Sequence, residues 1–126
     1  MGILRKNFGR QEVGVAGIAT ALVSFETGEI GATLIYFPTA VQITGIKGIV
    51  TKAIAASNNG TVTGASADGA STGGVLTATA SDALGTEYTA TPTTNTTVAA
   101  GSYYQLTTAK STAGGKVAVT LQYKSI

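Results

Sequence analysis

The sequence predicts an all-β domain, built as a sandwich or a barrel, and three observations favour this fold class. About eight short segments of strand character follow one another, with turn signals roughly every 8 to 12 residues. Thr and Ala are the most frequent residues, and Thr suits strands better than helices. No segment combines a helical apolar stripe with the residues that begin and end a helix.

The first 30 residues are predicted to form an N-terminal arm, and residues 31–126 to form the β-sandwich domain. Residues 1–11 are polar and basic, with two apolar residues, Leu4 and Phe8. Three of the eight basic residues of the chain also lie there: Arg5, Lys6 and Arg10. Because a basic terminal arm is usually solvated or docks on an acidic partner, these five residues are the candidate docking residues.

Residues 13–25 fit two patterns, a helical stripe and a strand-like alternation of apolar residues. Gly14 and Gly17 weaken a helix, so extended structure is preferred. A signal peptide is a further interpretation, since the run is apolar and follows a basic start. Glu12 and the lack of a clean cleavage site disfavour it. Residues 26–31 are predicted to turn the chain.

The first strand after this turn is residues 32–37, a dense apolar segment. It stops at Pro38, because proline cannot donate a ladder hydrogen bond. The next apolar stretch, residues 41–56, is either two strands or one long strand bent at Gly45 and Gly48.

A tight turn is predicted at Asn58-Asn59-Gly60, since Asn-Gly supplies the positive φ angles of a two-residue hairpin. Residues 61–65 are therefore expected to run back from it. Residues 67–74 are predicted to be a mobile loop from their Asp, Gly, Ser and Thr content. A strand, a turn, a second strand around Tyr88 and a polar connection should follow at residues 75–80, 81–85, 86–91 and 92–97.

The clearest strand is residues 116–124, because apolar and polar residues alternate along its whole length. Its apolar face consists of Val117, Val119, Leu121 and Tyr123. Residues 102–108 form the preceding strand, and the Gly-rich connection 109–115 is long enough to turn the chain back. The two strands are predicted to form an antiparallel pair, which needs a second layer because a lone hairpin is barely stable.

The residue types present argue against an enzyme. The chain has no His and no Cys, which removes the commonest general base, metal ligand and strong nucleophile. Glu26 and Glu29 could be brought together like a glycosidase pair. Asp68 and Asp82 could help to ligate calcium. All four lie in predicted turns or loops and are more simply solvated, so no catalytic residue, metal or cofactor is predicted.

Charge and hydropathy limit the partners. A net charge of +2 is too weak a field to indicate nucleic acid. No apolar run approaches the roughly 20 residues of a membrane span. Charged residues make up only 11% of the chain, so Thr, Ser, Asn and Gly must cover most of the surface, as in many extracellular or virion proteins.

Four tyrosines are candidate interface aromatics: Tyr36, Tyr88, Tyr103 and Tyr104. Tyr103 and Tyr104 are neighbours in a predicted strand, so they point to opposite faces and one of them belongs to the core. The exposed one, with Tyr36 and Tyr88, could form a sugar-binding platform. Packing in the core or at a subunit interface is the preferred use.

The order of elements in residues 32–126 resembles a known family. A strand at residues 48–54, short Thr-rich strands, Val98-Ala99-Ala100-Gly101, a Gly-rich loop and a final alternating strand from Val117 to Tyr123 are similar to small jelly-roll proteins on the heads of tailed bacteriophages. These are called decoration, cement or head-fibre proteins. The chain departs from them at Ser102, where many carry an acidic residue.

The resemblance implies a jelly-roll-like antiparallel β-sandwich with an extended N-terminal arm. It also implies a homotrimer at three-fold or local three-fold positions of the outer capsid surface, with the arm clasping the major capsid protein. The expected function is that of a structural decoration or cement protein of the virion, without nucleic acid or membrane partners. The alternative is a carbohydrate- or receptor-binding module of a phage tail or a secreted assembly.

Overall fold

The computed structural model describes residues 15–126, and this part of the chain is built from nine β-strands without a helix. The strands are β1 (Ala16–Ser24), β2 (Ala32–Phe37), β3 (Val41–Lys52), β4 (Gly60–Ala65), β5 (Ser71–Ala78), β6 (Glu87–Ala90), β7 (Thr97–Val98), β8 (Ser102–Ala109) and β9 (Lys116–Ser125). The all-β prediction is confirmed. No helix in this part is long and apolar enough to cross a membrane.

The strands form two antiparallel sheets packed face to face. Sheet one has the order β1-β9-β3-β6, and β7 also pairs with β3; sheet two has the order β2-β8-β4-β5. The chain changes sheet at most connections, and the one hairpin between consecutive strands joins β4 to β5. This is the strand order of a jelly roll, so the predicted fold class is confirmed.

The core lies between the two sheets and is made of one alternating face of each strand. Val117, Val119 and Leu121 of β9 are buried there and Tyr123 is half-buried, as the alternation predicted. The largest fully buried side chains are Tyr104, Phe25, Ile43, Ile46, Leu76, Leu106 and Leu121. Burial of these aliphatic and aromatic side chains is the main stabilising term of the fold.

The predicted pairing of the last two strands is wrong. β8 lies between β2 and β4 in sheet two, and β9 lies between β1 and β3 in sheet one. The connection between them is a corner that leads from sheet two to sheet one, and Gly114 and Gly115 adopt φ angles of 135° and 117° in it. The alternating pattern identifies the buried face of a strand, and it does not identify the neighbour with which the strand pairs.

The predicted hairpin at Asn58-Asn59-Gly60 is also wrong, because β4 pairs with β5 and β8 and not with β3. Asn58 does have a positive φ angle of 65°, but the turn carries the chain from sheet one to sheet two. The amide oxygen of Asn59 accepts a hydrogen bond from the Ala80 N–H at 3.0 Å, and that of Asn58 accepts one from Thr112 Oγ1 at 2.7 Å. The two side chains therefore link this corner by hydrogen bonds to the connection after β5 and to the connection between β8 and β9.

Two further segments differ from the prediction or decide between its alternatives. Residues 41–52 form one long strand, with register shifts between Ile43 and Gly45 and between Val50 and Lys52, so the bent single strand is the correct alternative. The predicted loop at residues 67–74 is shorter, because β5 already begins at Ser71.

The arm is shorter than predicted, because β1 is part of the sandwich. All nine residues of β1 pair with β9, and Val23 and Phe25 are buried in the core. The extended interpretation of this segment is therefore correct, and the boundary at residue 30 is wrong. The candidate docking residues of the arm, Leu4, Arg5, Lys6, Phe8 and Arg10, lie outside the described residues.

Candidate functional site

The outward surface of sheet two carries no charged side chain on its described strands. Paired residues of an antiparallel sheet point to the same side, so the register identifies the residues that share this surface. We call it the neutral face, and its members include Ala32, Leu34, Tyr36, Thr61, Thr63, Val75, Thr77, Tyr103, Gln105, Thr107 and Ala109. A face without charge is typical of the centre of a protein interface.

The four candidate tyrosines separate into three environments. Tyr36 and Tyr103 lie directly opposite each other on the neutral face. Tyr104 is fully buried, which confirms that the two adjacent tyrosines point to opposite faces and excludes Tyr104 from a surface contact. Tyr88 belongs to sheet one, and its hydroxyl donates a hydrogen bond to the Asp82 carboxylate at 2.6 Å. Burial and this carboxylate raise the pKa of Tyr88. No single platform contains all four.

Four lysines project from the outward surface of sheet one, and we call this surface the basic face: Lys47, Lys52, Lys116 and Lys124. It also carries Glu87, which lies opposite Ile49, and Lys52 is paired with the Glu26 carboxylate. Three other basic residues lie in the first ten residues. The remaining one, Lys110, is buried and donates to the carbonyl of Ser57 at 2.5 Å.

An apolar row crosses the basic face between these lysines. Leu22 lies opposite Ala118, and Ala118 lies opposite Ile49 on the next strand. Leu22 and Ile49 are both exposed. An apolar centre bordered by charged side chains is the usual anatomy of a protein-binding surface.

The lysines of the basic face were not identified as a site from the sequence. The alternation in residues 116–124 already puts Lys116 and Lys124 on the polar side of their strand. Lys47 joins them only through the pairing of β3 with β9, where it lies opposite Thr120. This long-range pairing has no local signal in the sequence.

Glu26 and Glu29 do not form a catalytic pair. Glu26 accepts hydrogen bonds from the Lys52 ammonium group and from the Gly115 N–H, and these two contacts hold the pKa of Glu26 below its usual value of 4.5. Glu29 accepts a hydrogen bond from Ser24 Oγ at 2.6 Å. Each carboxylate therefore has a structural role in the turn between β1 and β2.

The two aspartates are also loop residues. Asp68 accepts hydrogen bonds from Ser66 Oγ and the Ala70 N–H, and both contacts lower the pKa of Asp68. Asp82 lies on a different connection, between β5 and β6, and accepts a hydrogen bond from the Tyr88 hydroxyl. Within residues 15–126, no three carboxylates come close enough together to hold a metal ion.

Acidification should destabilise the protein through Glu26. Because the pKa of Glu26 is lower in the folded than in the unfolded state, its ionised form stabilises the fold above the unfolded-state value, and this contribution is lost as the pH falls through the folded-state value. We expect the urea midpoint of Glu26→Gln to fall less than that of the wild type between about pH 6 and pH 3. The control Glu87→Gln should show the wild-type fall, and equal falls for all three proteins would contradict the role of Glu26.

A polar depression of about 620 Å³ opens at one end of the sandwich, beside the neutral face. Tyr103 lines it, and its hydroxyl donates to the carbonyl of Ala67 at 3.3 Å. Asp68 and residues 95–99 complete its wall. In this depression a tyrosine ring lies next to polar groups of two loops.

The fold is similar to that of chains from phage capsids. The match to a chain of the cyanophage Pam1 capsid asymmetric unit has a TM-score of 0.53 and 15% identity, and covers 94% of this chain and 90% of that chain. The match to a chain of the acid-stable capsid of Helicobacter pylori bacteriophage KHP30 has a TM-score of 0.54 and 13% identity, and covers 91% of each chain. At these identities the likeness shows a shared fold.

A weaker likeness connects the chain to the catalytic domain of a GH87 alpha-1,3-glucanase, with a TM-score of 0.45, 10% identity and 29% of that chain covered. A likeness at this score is not informative about activity. No protein-family model matches the sequence, and no curated protein matches it.

Proposed function

We propose that the chain is a structural protein of a bacteriophage virion that decorates the outer surface of the head. It binds at three-fold or local three-fold sites and stabilises contacts between subunits of the major capsid protein. The observation that carries this proposal is the jelly-roll sandwich, which matches chains of two phage capsids over about nine-tenths of its length. A chain without His or Cys is suited to binding more than to catalysis.

The distribution of charge supports docking through sheet one and the arm. Three basic residues precede β1, and β1 is the strand of sheet one that borders the basic face. The arm and the basic face are therefore adjacent along the chain and together hold seven of its eight basic residues. Their partner on the major capsid protein would be an acidic surface, because complementary charge guides such encounters.

The neutral face supports association between copies of the chain. Its Thr-rich centre and the facing Tyr36 and Tyr103 can be buried without desolvating a charge. We propose a homotrimer, as the three-fold site requires. A measured mass that is a multiple of three times the 12.5 kDa chain mass would support it, and a monomer would contradict it.

Deletion of residues 1–10 tests the docking role of the arm. We expect the truncated protein to lose co-sedimentation with empty heads of the phage that encodes it, because Leu4, Phe8 and three basic residues are removed. The oligomer should keep its number of subunits, because the neutral face, which we propose as the contact between copies, is unchanged. Unchanged binding to heads would exclude the arm from docking.

Charge variants test the basic face in the same assay. Lys47→Gln/Lys124→Gln lowers the net charge by two and should weaken binding, more so at low salt. The control Thr27→Glu/Thr94→Glu lowers the net charge equally at exposed loop positions and should bind like the wild type. Equal weakening of both would show that net charge alone, and not this face, governs binding.

Carbohydrate binding is a second candidate function, favoured by the polar depression beside Tyr103. An aromatic ring next to carboxylate and amide groups is a common arrangement for binding a sugar. Glycan-array binding that disappears in Tyr103→Ala and persists after deletion of residues 1–10 would favour this function. Absence of glycan binding by the wild-type protein would dismiss it.

A further inference from the structure

Within residues 15–126, one side of the sandwich is bounded by two edge strands that pair with no further strand. β1 is the first strand of sheet one and β2 is the first strand of sheet two. The two strands contact each other across the layers, so they lie on the same side of the molecule. We call this side, formed by β1 and β2, the open side.

The hydrogen-bond register shows which backbone groups of β1 point outwards. The Ser125 N–H donates to the Val15 carbonyl at 2.9 Å, and the Phe25 N–H donates to the Gly115 carbonyl at 2.8 Å. In an antiparallel pair every second residue bonds the same neighbour, so the odd-numbered residues of β1 face β9. The N–H and C=O groups of the even-numbered residues, Ala16, Ile18, Thr20, Leu22 and Ser24, therefore point to the open side.

The same rule applies to β2. The Thr108 N–H donates to the Gly31 carbonyl at 2.9 Å, so Gly31, Thr33 and Ile35 face β8. The backbone groups of Ala32, Leu34 and Tyr36 point to the open side. Both sheets thus end in a row of backbone donors and acceptors on this side.

The open side lacks the devices that usually protect an edge strand. Neither β1 nor β2 contains a charged residue or a proline, whereas edge strands are commonly protected by charges, proline, bulges or shortness. Across the molecule, sheet one ends in the short strands β6 and β7, separated by residues that include Pro92. Four apolar or aromatic side chains of β1 and β2 are largely exposed on the two outward surfaces next to the open side: Ile18 at 68%, Leu22 at 58%, Leu34 at 55% and Tyr36 at 65%.

We propose that the open side binds the open side of a second copy of this chain around a two-fold axis, with β1 pairing antiparallel to β1 of the partner. With Thr20 on the axis, Ile18 lies opposite the partner's Leu22, and only outward-pointing backbone groups meet. No like charges are opposed, because the strand has none. Sheet one becomes continuous across the two molecules.

A second copy fits this side better than a single extended peptide does. An added peptide strand covers one edge, whereas the chain offers two edges side by side. The partner's own β2 comes opposite β2, so the outward-pointing backbone groups of both edges meet their counterparts. On the outward surface of sheet one, Ile18 lies beside the partner's Leu22, an apolar cross-strand pair without charge.

This inference is independent of the proposed function, because it depends on the register and on the exposure of β1 and β2. If the decoration role also holds, neighbouring three-fold sites of an icosahedral shell are related by two-fold axes, and the same contact would join neighbouring trimers. The mass of the wild-type protein is then a multiple of six chains; with the two-fold contact alone it is two chains.

The test is the mass in solution of Thr20→Pro, measured by light scattering after size exclusion. Proline removes an N–H that points to the open side and leaves the bonds to β9 intact, and proline is tolerated on an edge strand. We expect the folded variant to be a monomer where the wild type has two chains, and a trimer where the wild type has a multiple of six chains. A folded variant with the wild-type mass, or a wild-type mass that is an odd multiple of the chain, would overturn the proposal.

A second variant keeps the test decisive if Thr20→Pro does not fold. Ile18→Lys/Leu22→Lys puts lysines opposite one another across the axis and should reduce the mass in the same way as Thr20→Pro. The control Leu84→Lys/Ile126→Lys adds the same charge at two other exposed apolar positions and should keep the wild-type mass. Loss of association in the control as well, or retention in Ile18→Lys/Leu22→Lys, would overturn the two-fold contact.

Discussion

Deletion of residues 1–30 should unfold the protein, whereas deletion of residues 1–10 should leave it folded. The longer deletion removes β1, which pairs with β9 along all nine of its residues, and it removes the buried Val23 and Phe25. It would leave one edge of β9 without a neighbouring strand and expose part of the core to solvent. Circular dichroism and thermal unfolding measure both results, and a cooperative transition in the protein lacking residues 1–30 would contradict the assignment of β1 to the core.

Phe25 accounts for a large part of this effect and can be tested alone. Its side chain is 0% exposed, and its ring fills the space beside Gly60, where a Cβ atom would lie 2.7 Å from the ring. Its backbone donates to the Gly115 carbonyl and accepts from the Gly114 N–H, both at 2.8 Å. The backbone of Phe25 thus holds the corner between β8 and β9, and its ring packs against the start of β4.

Phe25→Ala should reduce the free energy of unfolding by about 3–5 kcal/mol, the usual cost of truncating a buried aromatic residue. This is a large fraction of the roughly 5–15 kcal/mol of a typical domain, so the variant should be marginal at 37 °C. Urea unfolding measures the loss. The control Leu84→Ala, at a position 71% exposed, should change stability by less than about 0.5 kcal/mol.

The sequence allowed the strands to be predicted because their signal is local. The alternation in β9 correctly indicated its buried residues, and the adjacent Tyr103 and Tyr104 were correctly predicted to point to opposite faces, although the sequence did not show which one is buried. Residues 32–37 were predicted with the bounds that the structure gives to β2. These features depend on the two-residue period of a strand, which each segment carries in itself.

Strand neighbours could not be predicted in the same way. Glycines at a turn allow positive φ angles, but they serve equally in a hairpin and in a corner between sheets, as Gly114 and Gly115 do. The jelly-roll order implied by the resemblance already separates the last two strands into different sheets, and the local turn signal led to the opposite pairing. Global topology was the better guide at this point.

The surfaces were the least predictable part of the candidate site. Lys47 and Lys116 are far apart in sequence, and they share a face because β3 and β9 pair at a register that residues on other strands determine. The exposure of Ile18 and Leu22 follows from the position of β1 at the edge of its sheet. The sequence pattern favoured extended structure for this segment but assigned it to the N-terminal arm, because nothing local indicates that it pairs with β9.

The second large effect should come from Tyr104, whose hydroxyl lies in the core. Tyr104 is 0% exposed, and its hydroxyl oxygen lies 2.7 Å from Thr72 Oγ1. Thr72 Oγ1 donates its own proton to the Gly64 carbonyl at 2.8 Å. Because a hydroxyl has one proton, Tyr104 must donate to Thr72. Burial also raises the pKa of Tyr104, so the donor stays protonated at neutral pH.

Tyr104→Ala should cost about 3–5 kcal/mol, since it removes a buried ring and leaves a cavity. Tyr104→Phe should cost roughly 0.5–1.5 kcal/mol, because one hydrogen bond is lost while Thr72 keeps its bond to Gly64. Urea unfolding separates the two values. Equal losses for Ala and Phe would mean that the hydroxyl, and not the packed ring, supplies the stability.

Gly64 provides the sharpest test of this arrangement. A Cβ atom at Gly64 would lie 2.0 Å from the Tyr104 hydroxyl oxygen, 2.8 Å from Cζ of its ring and 2.9 Å from Ile46 Cδ1, so Gly64→Ala should cost at least about 1–3 kcal/mol by overpacking. Removal of the hydroxyl relieves the closest of these contacts. The double variant Gly64→Ala/Tyr104→Phe should therefore lose less stability than the sum of the single variants, by about 0.5 kcal/mol or more. Strict additivity in this cycle would show that the hydroxyl does not occupy the space over Gly64, and the buried network that joins β4, β5 and β8 would then need a different geometry.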